Sequence, residues 1–200
     1  MPEQRAIRSF IAVDLEPHVL DAVRTVQAEL ARAGADVRWV RPTGMHVTLK
    51  FLGAVEPARL ERVHAALVDC VGRFPASPVQ VRGLGAFPTL RRPRVVWAGL
   101  TGPGLTDLAA EVDKGLVPLG FAAEKRAFTP HVTLGRVNSP RGWPGLEERL
   151  QAHRDDDFGA SAVNAIVVYS STLHRDGAVY APLWTISLGG NKSDADDTGR

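Results

Sequence analysis

Two short stretches, His46-Val47-Thr48-Leu49 and His131-Val132-Thr133-Leu134, constrain this chain more than anything else in it. Each occupies the same place in a repeated order: strand, helix, strand, His-x-Thr strand, helix, strand. The interval from Pro17 to His46 nearly equals the interval from Pro103 to His131. A repeat of this kind predicts two similar lobes around a pseudo-two-fold axis, with equivalent strands facing each other across one cleft. One domain over residues 1–188 is expected, with lobes of about 1–90 and 91–188 that are free to exchange strands. The tail, 189–200, is polar, lacks apolar periodicity and reads as disordered.

The elements behind the repeat come from hydrophobic periodicity. Val19, Val23, Val26 and Leu30 recur at three- and four-residue steps and predict a helix over about 17–33. Leu60, Val63, Leu67 and Val71 predict a second over 57–71. Leu105, Leu108, Val112 and Leu116 predict a third over 103–117, and a shorter fourth covers 145–152. Prolines open the first three, where a missing N–H does no harm. Strands are expected at 7–13, 37–40, 46–52, 79–84, 95–98, 131–137, 163–170 and 179–188. The stretches 87–94 and 138–145, rich in Pro, Gly and Arg, read as separators.

Composition removes several function classes. The 200 residues are 44% apolar, enough to bury a real core. No apolar run reaches membrane-spanning length, and Met1–Phe10 carries Glu3, Arg5 and Arg8, unlike a signal peptide. The single Cys70 permits no intrachain disulfide, so the cytoplasm is the expected compartment. Net charge is only +2, which allows an anionic partner without demanding one. Nothing in the composition speaks for an oligomer, and a monomer is the default.

On a strand, His46, Thr48 and Lys50 share one face, and Val47, Leu49 and Phe51 share the other. His131 and Thr133 repeat the arrangement. Two such strands suit one reaction well. Opening a cyclic phosphate by in-line attack needs a base on the water and an acid on the departing ribose oxygen, on opposite sides of phosphorus. One histidine from each lobe can fill these roles, one neutral and one protonated. Threonine hydroxyls can donate to the non-bridging oxygens, and Lys50 and Arg136 can add positive charge. Arg136 raises a difficulty: on a regular strand it lies opposite His131, and reaches the phosphate only if the strand ends or bulges near Gly135.

With these residues in view, the chain resembles the two-histidine (HxTx) phosphoesterase superfamily. Within it, the chain looks like the RNA 2′,3′-cyclic phosphodiesterase / 2′-5′ RNA ligase (ThpR or LigT) family. The likeness spans about 8–188. It rests on Arg8-Ser9-Phe10-Ile11-Ala12-Val13-Asp14, His46 to Gly53, Pro93 to Gly99, His131 to Arg136, and the stretch from Ser171 to Tyr180. The resemblance implies an α+β fold: a bilobal, pseudo-symmetric duplication whose antiparallel sheets line a central groove, with helices packed outside. It implies hydrolysis of RNA 2′,3′-cyclic phosphate ends, tRNA fragments among them, to 2′-phosphomonoesters. No metal or other cofactor is implied, and reversible 2′-5′ joining of RNA ends is. By resemblance His46 is the general acid and His131 the base, Thr48, Thr133 and Arg136 hold phosphate, and Phe10 packs on the nucleobase. From the residues alone, the acid and base roles stay unassigned, and Phe10 reads equally well as a core aromatic.

Two other classes fit less well. A metal-dependent hydrolase would place Asp, Glu or Cys beside the histidines, because catalytic zinc takes three protein ligands; neither motif has one. A non-catalytic RNA-binding module needs basic and aromatic surface but gives no reason for paired histidines. Within the superfamily, another cyclic nucleotide or phosphodiester remains an alternative substrate. His18 and His64 read as solvent-side helix residues, His153 as part of an acidic stretch, His174 as a turn residue, Cys70 as a core or flank thiol and the four tryptophans as packing residues.

Overall fold

The computed structural model describes residues 5–174 and 177–189. The tail assigned to 189–200 therefore lies, apart from Gly189, outside the described residues. The chain is α+β. Its strands are β1 (Ile7–Val13), β2 (Val37–Trp39), β3 (Val47–Val55), β4 (Ser77–Thr89), β5 (Arg92–Thr101), β6 (His131–Val137), β7 (Asp157–Val163), β8 (Ala165–His174) and β9 (Gly177–Ser187). Its helices are α1 (Pro17–Ala31), α2 (Pro57–Val71), α3 (Leu105–Leu116) and α4 (Trp143–Ala152).

All nine strands join one antiparallel sheet, in the order β7-β4-β5-β6-β3-β1-β8-β9, with β2 pairing β6 off this path. The midline falls between β6 and β3, which puts the two His-x-Thr strands side by side. The sequence halves exchange pieces across this midline. β4, from the first half, lies in the lobe of β5, β6 and β7; β8 and β9, from the end of the chain, complete the lobe of β1 and β3. Helices cross over as well: α1 packs on β7 and β2, and α3 packs on β3 and α2.

Each helix buries the stripe that its periodicity marks. Val19, Val23, Val26 and Leu30 of α1 are buried, as are Leu60, Val63, Leu67 and Val71 of α2. They form one core with Ile11, Val13, Val47, Val96, Val132 and Leu134 from the sheet. Removing this apolar surface from water at about 25 cal/mol per Å² is what holds helices to sheet. The opposite sheet face is left for the groove.

The stretch 87–94, expected as a separator, is instead the tip of the β4–β5 hairpin, where Pro88 pairs with Pro93 and Thr89 with Arg92. Proline is tolerated there because a register shift interrupts the ladder at that point. β7 is a strand that the sequence reading does not contain. It is an edge strand, bonded among the described strands to β4 alone.

Candidate active site

Val47 of β3 and Val132 of β6 are direct antiparallel partners, and both are fully buried. Side chains alternate along a strand, so their neighbours His46, Thr48, His131 and Thr133 turn to the groove face. In antiparallel order, Thr48 lies on the His131 side and His46 on the Thr133 side. Two imidazoles and two hydroxyls thus share one patch, each histidine diagonal to the other.

Both motif strands bulge immediately after the threonine. Against β1, Thr48 pairs with Ala12 and Lys50 with Ile11, which leaves Leu49 as an extra residue. Against β5, Thr133 pairs with Trp97 and Gly135 with Val96, which leaves Leu134 extra. Each bulge puts two consecutive residues on the core side and inverts the parity beyond it. Past the first bulge, Phe51 faces the groove; past the second, Arg136 does. These two occupy equivalent places in the repeat, an aromatic ring in one lobe and a guanidinium in the other.

The second bulge answers the difficulty with Arg136, whose positive charge reaches His131. A side chain absent from the sequence reading holds this bulge. Gln27, buried on α1, donates from Nε2 to the Leu134 carbonyl at 2.8 Å and the Val40 carbonyl at 2.9 Å. The Val40 N–H donates to the same Leu134 oxygen at 2.8 Å.

The first bulge overturns the expectation for Lys50. Instead of sharing a face with His46, its ammonium is buried on the core side, paired with Asp113 of α3 and donating to the Ala122 carbonyl at 2.9 Å. Asp113 also accepts the Glu124 N–H. Lys50 therefore pins the segment that leads to His131 and is not on the groove face.

Phe10 is corrected too. At 3% exposure it has no free face to offer a base. It stacks on His46 (ring centroids 4.8 Å) and on Tyr169 (5.3 Å), while Tyr180 meets both Phe10 and His46 edge-on. The aromatic surface that is free is Phe51, 66% exposed and 6.0 Å from Phe10. Sequence alternation assigned Phe51 to the core and gave no signal for the bulge that exposes it. Across the groove, Phe87 packs edge-on against His131 at 4.9 Å.

These walls set the electrostatics. Burial, joined by the nearby charge of His131, lowers the pKa of His46 to about 4. Burial lowers that of His131 as well; the Thr129 carbonyl opposes this, and the charge of Arg136 adds to it. His131 Nδ1 lies 2.8 Å from the Thr129 carbonyl. A carbonyl only accepts, so Nδ1 carries the hydrogen and the neutral ring keeps its lone pair on Nε2. Among the described residues, no cluster of three or more His, Cys, Asp or Glu side chains has the spacing to hold a metal ion.

The model of the family described as LigT like Phosphoesterase matches residues 13–97 and 101–180. This chain belongs to that family. It is 34% identical to the RNA 2′,3′-cyclic phosphodiesterase of Methanothermobacter thermautotrophicus, over 91% of this chain and 99% of that one. It is 36% identical to the enzyme of the same name from Aquifex aeolicus, over 93% and 100%. Among solved structures, a Thermus thermophilus protein aligns with a TM-score of 0.76 at 29% identity, over 92% of this chain and 99% of that one. E. coli LigT complexed with 3′-AMP aligns with a TM-score of 0.74 at 26% identity, over the same shares. The chain is thus a LigT-like phosphoesterase with the curled antiparallel sheet and outer helices of its relatives.

Proposed function

We propose that this phosphoesterase hydrolyses RNA 2′,3′-cyclic phosphate ends to 2′-phosphomonoesters with its two histidines and no metal. The observation that carries the reading is the diagonal placement of His46 and His131, each beside a threonine hydroxyl, around the buried Val47–Val132 pair. The curated relatives, named for this activity and matched over nearly their whole length, support it.

His131, its Nδ1–H spent on Thr129, presents Nε2 as the base. It takes a proton from water as the water oxygen bonds to phosphorus. The bond from phosphorus to the ribose 3′ oxygen breaks, and His46 delivers a proton to that oxygen. The 2′-phosphate remains. The approaching phosphate anion charges His46 by raising its pKa. Thr48 and Thr133 donate to the non-bridging oxygens, Arg136 adds positive charge, and Phe51 stacks on the nucleobase. A 5′-hydroxyl in place of water would join RNA ends through a 2′-5′ linkage by the same groups. A cytoplasmic location, which the single cysteine supports, and a monomeric state as the default complete the reading. None of the described helices is long and apolar enough to cross a membrane.

The test is hydrolysis of adenosine 2′,3′-cyclic monophosphate, and of a short RNA ending in a cyclic phosphate, in excess EDTA. Formation of 2′-phosphate alone is the expected result. No turnover of either substrate, or activity lost to EDTA and restored by metal, would overturn the proposal.

A further inference from the structure

Arg38 of β2 is the direct antiparallel partner of Arg136 of β6. Partnered residues point to the same face, and like charges placed directly opposite destabilise a sheet. Among the described residues, neither guanidinium has a carboxylate within salt-bridge distance or donates a hydrogen bond. The nearest acid along β2, Asp36, is committed elsewhere: it accepts from Asn138 Nδ2 at 3.1 Å and Ser139 Oγ at 2.6 Å. Those two bonds hold its carboxyl below the usual range, ionised but occupied.

The face is fixed by packing. Val37 and Trp39, on either side of Arg38, lie against Gly135 so closely that a side chain there would meet Val37 Cγ1 at 2.5 Å and the Trp39 ring at 3.0 Å. They cover the core side, so Arg38 stands on the groove side with Arg136. Along β6 the order on that face is His131, Thr133, Arg136. From Thr133 to Arg136 is about two strand steps, because one residue is taken up by the bulge, or about 7 Å. Arg38 lies beside Arg136 at that far end.

We propose that Arg38 and Arg136 together form a second anion site, for the phosphodiester on the 5′ side of the terminal nucleotide. This rests on the proposed function: a cyclic phosphate between the histidines leaves the next phosphate of the strand one nucleotide away. Two guanidiniums side by side, costly to each other when empty, are well suited to a phosphate that accepts from both. The site makes the protein a reader of RNA ends in preference to free cyclic mononucleotides, which lack that phosphate.

The experiment is calorimetric titration of the full chain, at low salt, with adenosine 2′-monophosphate and adenosine 2′,5′-bisphosphate. The two differ only in the second phosphate, and neither is turned over. The wild-type chain should bind the bisphosphate about tenfold more tightly. Arg38→Gln should bring that ratio close to one, and Arg38→Lys should restore part of it, which separates charge from folding. Equal binding of the two ligands by the wild-type chain, with the monophosphate bound, would overturn this inference and leave the proposed function standing. A ratio unchanged in Arg38→Gln would overturn it as well. Failure to bind either nucleotide would overturn both.

Discussion

Val47 and Val132 meet where β3 abuts β6, and this single antiparallel pair places His46 and His131 on one patch although they belong to opposite halves of the chain. With both valines fully buried, neither strand can slip by one residue without turning its histidine into the core. The placement of the two histidines is thus tied to hydrophobic burial rather than to a loop.

The lowered pKa values of the two histidines predict an unusual pH profile. kcat/KM reports the free enzyme, in which the proposed roles require His46 protonated and His131 neutral. Because His46 titrates at about 4 and His131 below its ordinary value, both limbs of the bell should fall below pH 6.5, with kcat/KM declining as pH rises above that. The alkaline limb of kcat should lie higher, because the bound phosphate raises His46. A kcat/KM that instead climbs through pH 6.5 to a plateau near pH 8 would contradict the assignment.

The same burial appears in stability. A base whose pKa is depressed on folding contributes stability that is complete above its unfolded pKa of 6.5 and lost as pH falls through the folded value of about 4. For His46 the loss across that window is about 3 kcal/mol. Replacing it with Phe should remove this component, so denaturant melts of the variant and wild type should diverge as pH falls from 6.5 to 4.

Gln27→Leu should cost about 1–2 kcal/mol, because two buried carbonyls lose a donor. Its effect on turnover should run through Arg136, which the bulge aims. In an Arg136→Ala background, Gln27→Leu should therefore reduce kcat/KM no further; a double-variant cycle measures this.

Lys50→Met should lower stability by about 3 kcal/mol, because it leaves the Asp113 carboxylate half-buried without its partner. Turnover by the folded fraction should largely persist. A variant that folds as well as wild type but cannot turn over would return Lys50 to the phosphate.

Phe51→Ala should raise KM for a nucleoside cyclic phosphate about tenfold, the effect of one lost stacking partner. Stability should change by no more than about 0.5 kcal/mol at so exposed a site. An unchanged KM would remove Phe51 from the binding surface.

Much of this was legible in the sequence. The limits of β1 and β6 match the expected strands, and the first three helices bury the stripes that their periodicity marks. β7 escaped because Ala160, Ser161, Ala162 and Gly159 carry little strand preference, and the acids Asp155, Asp156 and Asp157 precede or open it. The misplacement of Lys50 and Phe51 has one cause. A bulge at Leu49 leaves no mark in the sequence, since the extra residue is apolar like its neighbours, yet it inverts Lys50 and Phe51 before a second register shift beyond Phe51 restores the alternation. The matching bulge at Leu134 is what turns Arg136 toward the groove. Arg38 belongs to no motif, and its meaning comes only from the strand pairing with Arg136.

The most direct test of the two-histidine account is the hydrolysis rate of a cyclic-phosphate RNA end by His46→Ala, His131→Ala and the double variant. Each single substitution should lower kcat by about 10²–10⁴-fold, and the double should lose little more, because the acid and base act as a unit. Full activity in either single variant, or losses that simply multiply in the double, would contradict it.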